Sequence, residues 1–459
     1  MKLFLFLENL ISGFLPFTML CICGLYLTVK GGFFQFRLFP ESLRLTKKAF
    51  LNREKTKGVT SFQSACTALS ATVGTGNIAG VAGAISLGGA GAVFWMWISA
   101  LLGMAVKYTE ISIAVRFRNQ NGAQFSGGPM YYIENGLGKK FKPVSALFAI
   151  SLIPAAFCTG NITQTNAAIT SLSGSDSVKF IFGSIFFIIT FAVIGGGKSK
   201  IGRVTEKIVP FMSVLYLLLS SGVIILNYRL LPYAFKLIIE GAFSPKAVTG
   251  GVIGSAFTSA LIGASRGIFS NEAGLGTSAI AHSIAFDADS ETQGLFGIFE
   301  VFIDTILICT LTALTILCGS VNIEYGKIAS TELVAAAFYG CYGKFSSFLL
   351  SFMMCVFAIS SIIGWALYGD AALGFLKGKK LRKIFLFSYP ASCFIGALWS
   401  SDAVWRISSF FNGIMLCINL PVVLILSDTV LKKRESNDKQ QNRKLKNGFR
   451  GYPSRFDYK

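Results

Sequence analysis

Apolar runs recur along this chain between short polar segments, and each is long enough for a helix to cross the roughly 30 Å of hydrocarbon in a bilayer. They predict about eleven transmembrane helices, near residues 10–29, 61–86, 91–115, 143–170, 180–194, 209–227, 250–285, 293–318, 346–376, 384–400 and 404–427. Strands of a membrane barrel would need a polar lumen position at every second residue, and Ile181-Phe-Gly-Ser-Ile-Phe-Phe-Ile-Ile-Thr-Phe191 does not alternate. Two spans carry residues that spoil a helix. The second contains Ser70-Ala-Thr-Val-Gly-Thr-Gly-Asn-Ile-Ala-Gly-Val-Ala-Gly83, where each glycine costs about 1 kcal/mol relative to alanine in a helix interior. The seventh is too long for one straight crossing, and its centre reads Gly263-Ala-Ser-Arg-Gly-Ile-Phe-Ser-Asn-Glu-Ala-Gly-Leu-Gly276. Unwound backbone survives in hydrocarbon only where protein or a wet cavity satisfies its polar groups, so both stretches are expected to line a site.

The two breaks lie five spans apart. An odd interval makes equivalent helices cross in opposite directions, as in an inverted repeat. Asn77-Ile-Ala-Gly80 and Asn271-Glu-Ala-Gly274 give a faint internal echo. On this reading residues 1–30 form an extra N-terminal helix and 31–60 a basic cytoplasmic connector. Residues 61–228 form a first five-helix unit, 229–249 an extracellular connector, 250–430 a second unit and 431–459 a basic cytoplasmic tail, disordered by composition. The apolar start could pass for a signal peptide, but Glu8 interrupts it and hydrophobicity runs on to Val29, which favours a retained helix.

Composition agrees with a polytopic all-α membrane protein. Mean hydropathy is +0.61, and charged residues make up 14% against about 25% in soluble domains. The net charge of +20 would invite a nucleic-acid partner, but the basic residues sit in alternate loops and the tail. That is the positive-inside signal, with the N-terminus outside and the C-terminus cytoplasmic. Only Asp287, Asp289 and Glu291 depart from it on the inner side. Ten cysteines lie mostly in apolar runs without a CxxC, so they read as buried thiols. His282 is the only histidine, which excludes multi-histidine metal sites and a Ser/His/Asp triad, and an enzyme is not expected.

Gly74-Thr-Gly-Asn-Ile-Ala-Gly80 has its third glycine one residue late for a dinucleotide fingerprint, and Gly195-Gly-Gly-Lys-Ser199 has Ala192 where a phosphate loop needs its first glycine. Packing through Gly76 and Gly80 alone would not call for Asn77 and two threonines among the glycines. A broken helix offers free N–H groups to a carboxylate and freed carbonyls to a cation. Sodium takes hard oxygen ligands, and carbonyls near Ser70 and Val73 can supply some. In the ninth span, Ser360 and Ser361 are further candidate ligands, and Trp365 lies one turn beyond on the same face, placed to wall a small pocket. In Thr159-Gly-Asn-Ile-Thr-Gln-Thr-Asn166, Gln164 either binds a ligand or holds helices together. Arg266, Glu272, Glu300 and Asp304 are functional candidates by their depth, with Arg266 and Glu272 expected to pair across the second break. Glu110 and Asp370 read as interfacial charges.

With Gly127-Gly-Pro-Met-Tyr-Tyr132 and Gly364-Trp-Ala-Leu-Tyr-Gly-Asp370, the two broken stretches resemble the signatures of the alanine or glycine:cation symporter family from about residue 31 to 429. The resemblance implies the leucine-transporter fold, a 5+5 inverted repeat preceded by one extra helix. It also implies sodium-coupled uptake of a small neutral amino acid across the inner (plasma) membrane, alanine or glycine first; the residues themselves leave open serine or glutamine as substrate, a proton as coupling ion, and an ion channel as a different class. Carried over by position, Thr75 and Gly76 would meet the substrate carboxylate with Asn77 nearby. Gln164, Phe269 and Trp365 would line the pocket, Asn271 would stand at the second break, and Ser360 and Ser361 would help bind sodium. The chain departs from the family pattern at Ala366, Leu367 and Asp370, where aromatics and a Glu are usual, and at Ser361, where Thr is common.

Overall fold

The computed structural model describes residues 10–51, 58–121, 124–172, 176–244, 249–253, 255–327, 329–399 and 401–432, and the expected tail beyond them lies outside the described residues. Among these, eight helices are long and apolar enough to cross a membrane, and a ninth crossing follows if the pair Ser61–Thr72 and Gly76–Gly88, bent by 48°, counts as one. The sequence predicts about eleven. The difference lies in Leu15–Lys30, which is apolar but only 16 residues long, and in the seventh span, which splits into Ala256–Asn271 and Thr277–Ser283.

Gly91–Arg116 is the inner post of the bundle and is buried along nearly its whole length. Small residues permit this. Gly263 packs onto the Ala92 backbone carbonyl, 2.1 Å from where a Cβ would stand and so closed to any side chain, while Gly267 packs onto the Ser99 side chain and Gly297 onto those of Ile111 and Lys107. Asp176–Ile194 and Gly197–Leu226 instead present Ile188, Phe191, Val214, Leu218 and Ile225 outward. A lipid-facing belt accounts for that apolar surface.

The connector over residues 31–60 is more ordered than its charge implies. It contains the helix Phe39–Leu51, whose Ser42 hydroxyl donates to the Leu295 carbonyl at 2.8 Å. Basic residues and the exposed Leu43 and Phe50 share this amphipathic helix, the pattern of a segment lying in the membrane interface. Strands Asn119–Asn121 and Gln124–Ser126 pair antiparallel and lead into Pro129–Leu137.

Three crossings contain a stretch of wide π-helical turns, at Gly76–Gly80, Ala156–Ile162 and Phe302–Cys309. Such turns free backbone groups and concentrate at functional sites. Here all three carry polar residues to the middle of the bundle: Asn77, then Thr159 and Asn161, then Asp304 and Thr305.

Candidate functional site

The first break begins from a well-anchored helix. The Thr60 hydroxyl accepts from Gln63 N at 3.1 Å while Gln63 Oε1 accepts from Thr60 N at 3.3 Å, a reciprocal cap that fixes the start of Ser61–Thr72. The helix ends at Val73, whose backbone is extended, and Gly74 follows. Asn77 folds back so that its Oδ1 accepts from Gly74 N at 2.8 Å, satisfying a donor of the unwound turn. Its Nδ2 donates to Asp304 Oδ1 at 2.7 Å and to Ser270 Oγ at 3.0 Å. Asn77 therefore ties both breaks together through its side chain. Gln164 Oε1 accepts from Thr75 N at 3.1 Å and from Thr75 Oγ1 at 2.8 Å. Gln164 is thus placed on the turn that offers its N–H groups.

Ser361 faces this turn from Phe345–Phe375, with Ser360 next to it in the same helix. A Cβ built on Gly74 would lie 2.3 Å from Ser361 Oγ, and one on Gly364 would lie 2.5 Å from Ser70 Oγ. The Ser360 and Ser361 hydroxyls are buried and neither has a hydrogen-bond partner. An unpartnered hydroxyl at Ser361 beside unwound backbone is the kind of hard oxygen that suits a hard cation. Phe269 closes the other side, its ring 3.3 Å from the position of a Gly76 Cβ. It packs at a tilt of 43° against Trp405 with ring centroids 4.8 Å apart, and Trp365 is fully buried against Gly160. The structure thus brings Gln164, Phe269 and Ser361 against the turn at Gly74, Thr75 and Gly76, which follows Val73, and sets Ser70 against Gly364; Trp365 packs on Gly160, and Ser360 lies beside Ser361 in the chain. Asn271 stands apart, at the end of Ala256–Asn271, with its Nδ2 donating to Thr305 Oγ1 at 3.3 Å.

Two expectations about charge need correction. Arg266 does not pair with Glu272: its guanidinium lies 4.9 Å from the centre of the Trp405 ring, while the Glu272 carboxylate accepts from Thr277 Oγ1 at 2.6 Å. The reason is geometric, because Glu272 adopts a left-handed conformation (φ 54°) that turns it towards the resuming helix. Glu110 is not interfacial either. It is wholly buried and accepts from Asn419 Nδ2 at 3.0 Å, whereas Asp370 does sit at the surface in a bidentate pair with Arg382.

On the side where the sequence places the cytoplasm, the ends of the broken spans are fastened together. Asp287 Oδ1 accepts from Ser61 N and Ser61 Oγ, both at 2.8 Å, and Phe286 N donates to the Val59 carbonyl at 2.8 Å. Arg118 donates to the carbonyls of Ser283, Ala285 and Ala288. Burial lowers the Arg118 pKa and the Asp287 carboxylate counters it. Among the described residues no cluster of three or more His, Cys, Asp or Glu side chains could hold a metal ion.

Residues 2–450 match the sodium:alanine symporter family. The chain belongs to this family. Within it, the chain is 35% identical over 454 residues to the sodium/alanine symporter AgcS of Methanococcus maripaludis, covering 97% of this chain and 99% of that one. It is 33% identical over 436 residues to the probable sodium/glutamine symporter GlnT of Bacillus subtilis, covering 95% and 90%. An uncharacterized transporter of Haemophilus influenzae is 37% identical over 433 residues, 92% of each chain. Among solved structures, that of MhsT in complex with L-phenylalanine superposes with a TM-score of 0.53 at 16% identity, covering 79% of this chain and 89% of MhsT. The shared architecture is the leucine-transporter fold, in a family of transporters and not of enzymes.

Sequence reasoning passed over several side chains that build this symporter-family site. Ser270 and Thr305 donate to Asp304 Oδ2, each at 2.7 Å, and Thr312 donates to the Asn77 carbonyl at 2.8 Å. Lys107, fully buried, donates to the Asn271 carbonyl at 2.6 Å. A lysine in the middle of Gly91–Arg116 was the available signal, since an ionisable residue inside a span is a functional candidate by default.

Proposed function

We propose that this chain is a secondary transporter that brings a small neutral amino acid, alanine or glycine, into the cell together with sodium by alternating access across the plasma membrane. The observation that carries the reading is the unpartnered buried hydroxyl of Ser361 against the unwound turn at Gly74, with the equally unpartnered Ser360 next to it in the chain. Sodium binds there, with the carbonyls of Ser70 and Val73 adding oxygen ligands. The amino-acid carboxylate takes the N–H of Gly76 and, by displacing Gln164 Oε1, that of Thr75, where the helix dipole favours an anion. Gln164 already bonds Thr75 and so senses that carboxylate. Phe269, Trp365 and Asn271, with Asn77 beneath them, set the limits of the pocket. The Phe269 ring against Gly76 and the indole against Gly160 favour a side chain no larger than a methyl or hydroxymethyl group.

In this reading the eleven expected crossings form two inverted five-helix units, residues 61–228 and 250–430, after one extra helix. The serine pair and the first break then belong to opposite units. Sodium bridging them favours the occluded state that the substrate also favours, so each ligand tightens the other.

The decisive measurement is alanine uptake into proteoliposomes under an imposed sodium gradient. Uptake should follow the gradient, and sodium-insensitive uptake would remove the coupling ion from the scheme. Gly76→Leu should abolish uptake in a protein that still folds, because the added isobutyl group fills the space beside Phe269. Unchanged uptake in that variant would move the substrate elsewhere.

A further inference from the structure

Both broken spans expose backbone carbonyls at the end of their first half-helix, and each such end carries a partial negative charge of about half an elementary unit. The two ends are treated differently. Among the described residues, no lysine or arginine side chain hydrogen-bonds to residues 70–83 or to Ser360 and Ser361. At the second break, Lys107 reaches across from Gly91–Arg116 and donates to the Asn271 carbonyl, the last residue of its half-helix, at 2.6 Å.

Lys107 is 0% exposed. A buried ammonium is stable only if it is paired and hydrogen-bonded, and an unpaired one loses its proton. Its partners are local: Glu300 Oε2 lies 3.6 Å from Nζ, and the same carboxylate meets His282 Nε2 at 2.5 Å through its other oxygen. The Lys107 head group therefore occupies the helix end beside Glu300, where a mobile cation would otherwise be drawn.

The remaining acid between the breaks is already satisfied. Asp304 receives Asn77 Nδ2 on Oδ1, and Ser270 Oγ and Thr305 Oγ1 on Oδ2, at 2.7 Å in each case. Its oxygens are held by hydrogen-bond donors. The contrast is with Ser361 at the first break, whose hydroxyl has none.

From this asymmetry we infer that Lys107 is a tethered cation that permanently serves the second break, so that only the first break recruits an ion from solution and a single sodium ion moves with each amino acid. This rests on the sodium-coupled transport proposed above and assigns its stoichiometry to a named side chain. Lys107 acts as a positioning residue: it holds the Asn271 carbonyl and the Glu300 carboxylate without touching substrate.

The test uses the full chain in proteoliposomes, measuring sodium and alanine fluxes together and the reversal potential of coupled transport. One sodium ion per alanine is expected. Two per alanine would leave symport standing and overturn the role of Lys107, whereas sodium-independent uptake would remove the function on which it rests. Lys107→Ala should cut uptake by about a hundredfold or more, the scale of breaking a buried ion pair. Millimolar methylammonium, which supplies the missing head group, should restore a large part of it. Uptake unchanged in Lys107→Ala would overturn the inference. Failure of methylammonium to rescue a variant that still binds alanine would do the same. If Lys107→Ala does not fold, the wild-type flux ratio decides alone.

Discussion

A methyl group at Gly74 would lie 2.3 Å from Ser361 Oγ and 2.9 Å from Gln164 Oε1. Both are atoms at the ends of side chains that can rotate, so the helix break survives while the hydroxyl turns away from it. Gly74→Ala should therefore leave the protein folded and raise the sodium concentration for half-maximal uptake by about tenfold, the loss of one ligand to a cation. A sodium titration of uptake by this variant checks it, and an unshifted midpoint would detach Ser361 from the ion. The glycines that make this approach possible were visible in the sequence as helix breakers, as were the serines. What Asn77 does was not. Its side chain bonds Gly74, Ser270 and Asp304, and partners 193 and 227 residues away leave no trace in local spacing. The expected Arg266–Glu272 pair shows the same limit, since six residues of separation say nothing about the left-handed turn at Glu272 that parts them.

Helices were more legible than their irregularities. Every predicted span has a helical counterpart among the described residues, because apolar length is a property of consecutive residues. The π-helical turns at Ala156–Ile162 and Phe302–Cys309 were not foreseen, for they depend on what the neighbouring helices satisfy. The acidic loop also gains an explanation at this scale. Asp289 caps Ser290–Val301 by accepting from Glu291 N and Thr292 N, and Asp287 caps Ser61–Thr72 from the distant side of the chain. Asp287 thus joins the inner ends of both broken spans, a contact that must part if the inner path is to open. Asp287→Ala should shift the resting population towards the inward-open state. In a background with the ten native cysteines replaced, Ser278→Cys, buried in the second half of the second broken span, should then react with a thiol reagent about tenfold faster. That factor corresponds to one charge-assisted hydrogen-bond pair of about 1.5–3 kcal/mol, partly compensated by water. An unchanged rate would make the loop a simple helix cap.

Over the whole molecule the charges sort to one face. Lys47, Lys48, Arg116, Arg118, Lys139, Lys140, Lys142, Lys198, Lys200, Arg203, Lys380, Arg382 and Lys383 cluster at alternate helix ends, while the opposite ends carry only a few, among them Lys179, Arg229, Lys236, Lys327 and Lys344. Because Lys and Arg near span ends set orientation and acids contribute little, the acidic loop at Asp287 does not weaken the assignment of the first face to the cytoplasm. Leu15–Lys30 also fits, since Lys30 at its inner end pairs with Asp428 near the end of the last helix, which brings both ends to the same face. The prediction is one of sidedness. In whole cells, and again with the native cysteines replaced, a membrane-impermeant thiol reagent should label Lys236→Cys, which is exposed on Leu231–Phe243, without permeabilisation. Lys140→Cys, exposed in the turn before Lys142–Ala155, should label only after the membrane is opened. The reverse pattern would invert the molecule and place the Asp287 contact outside. The direction of transport set by an inward sodium gradient would then have to be assigned anew.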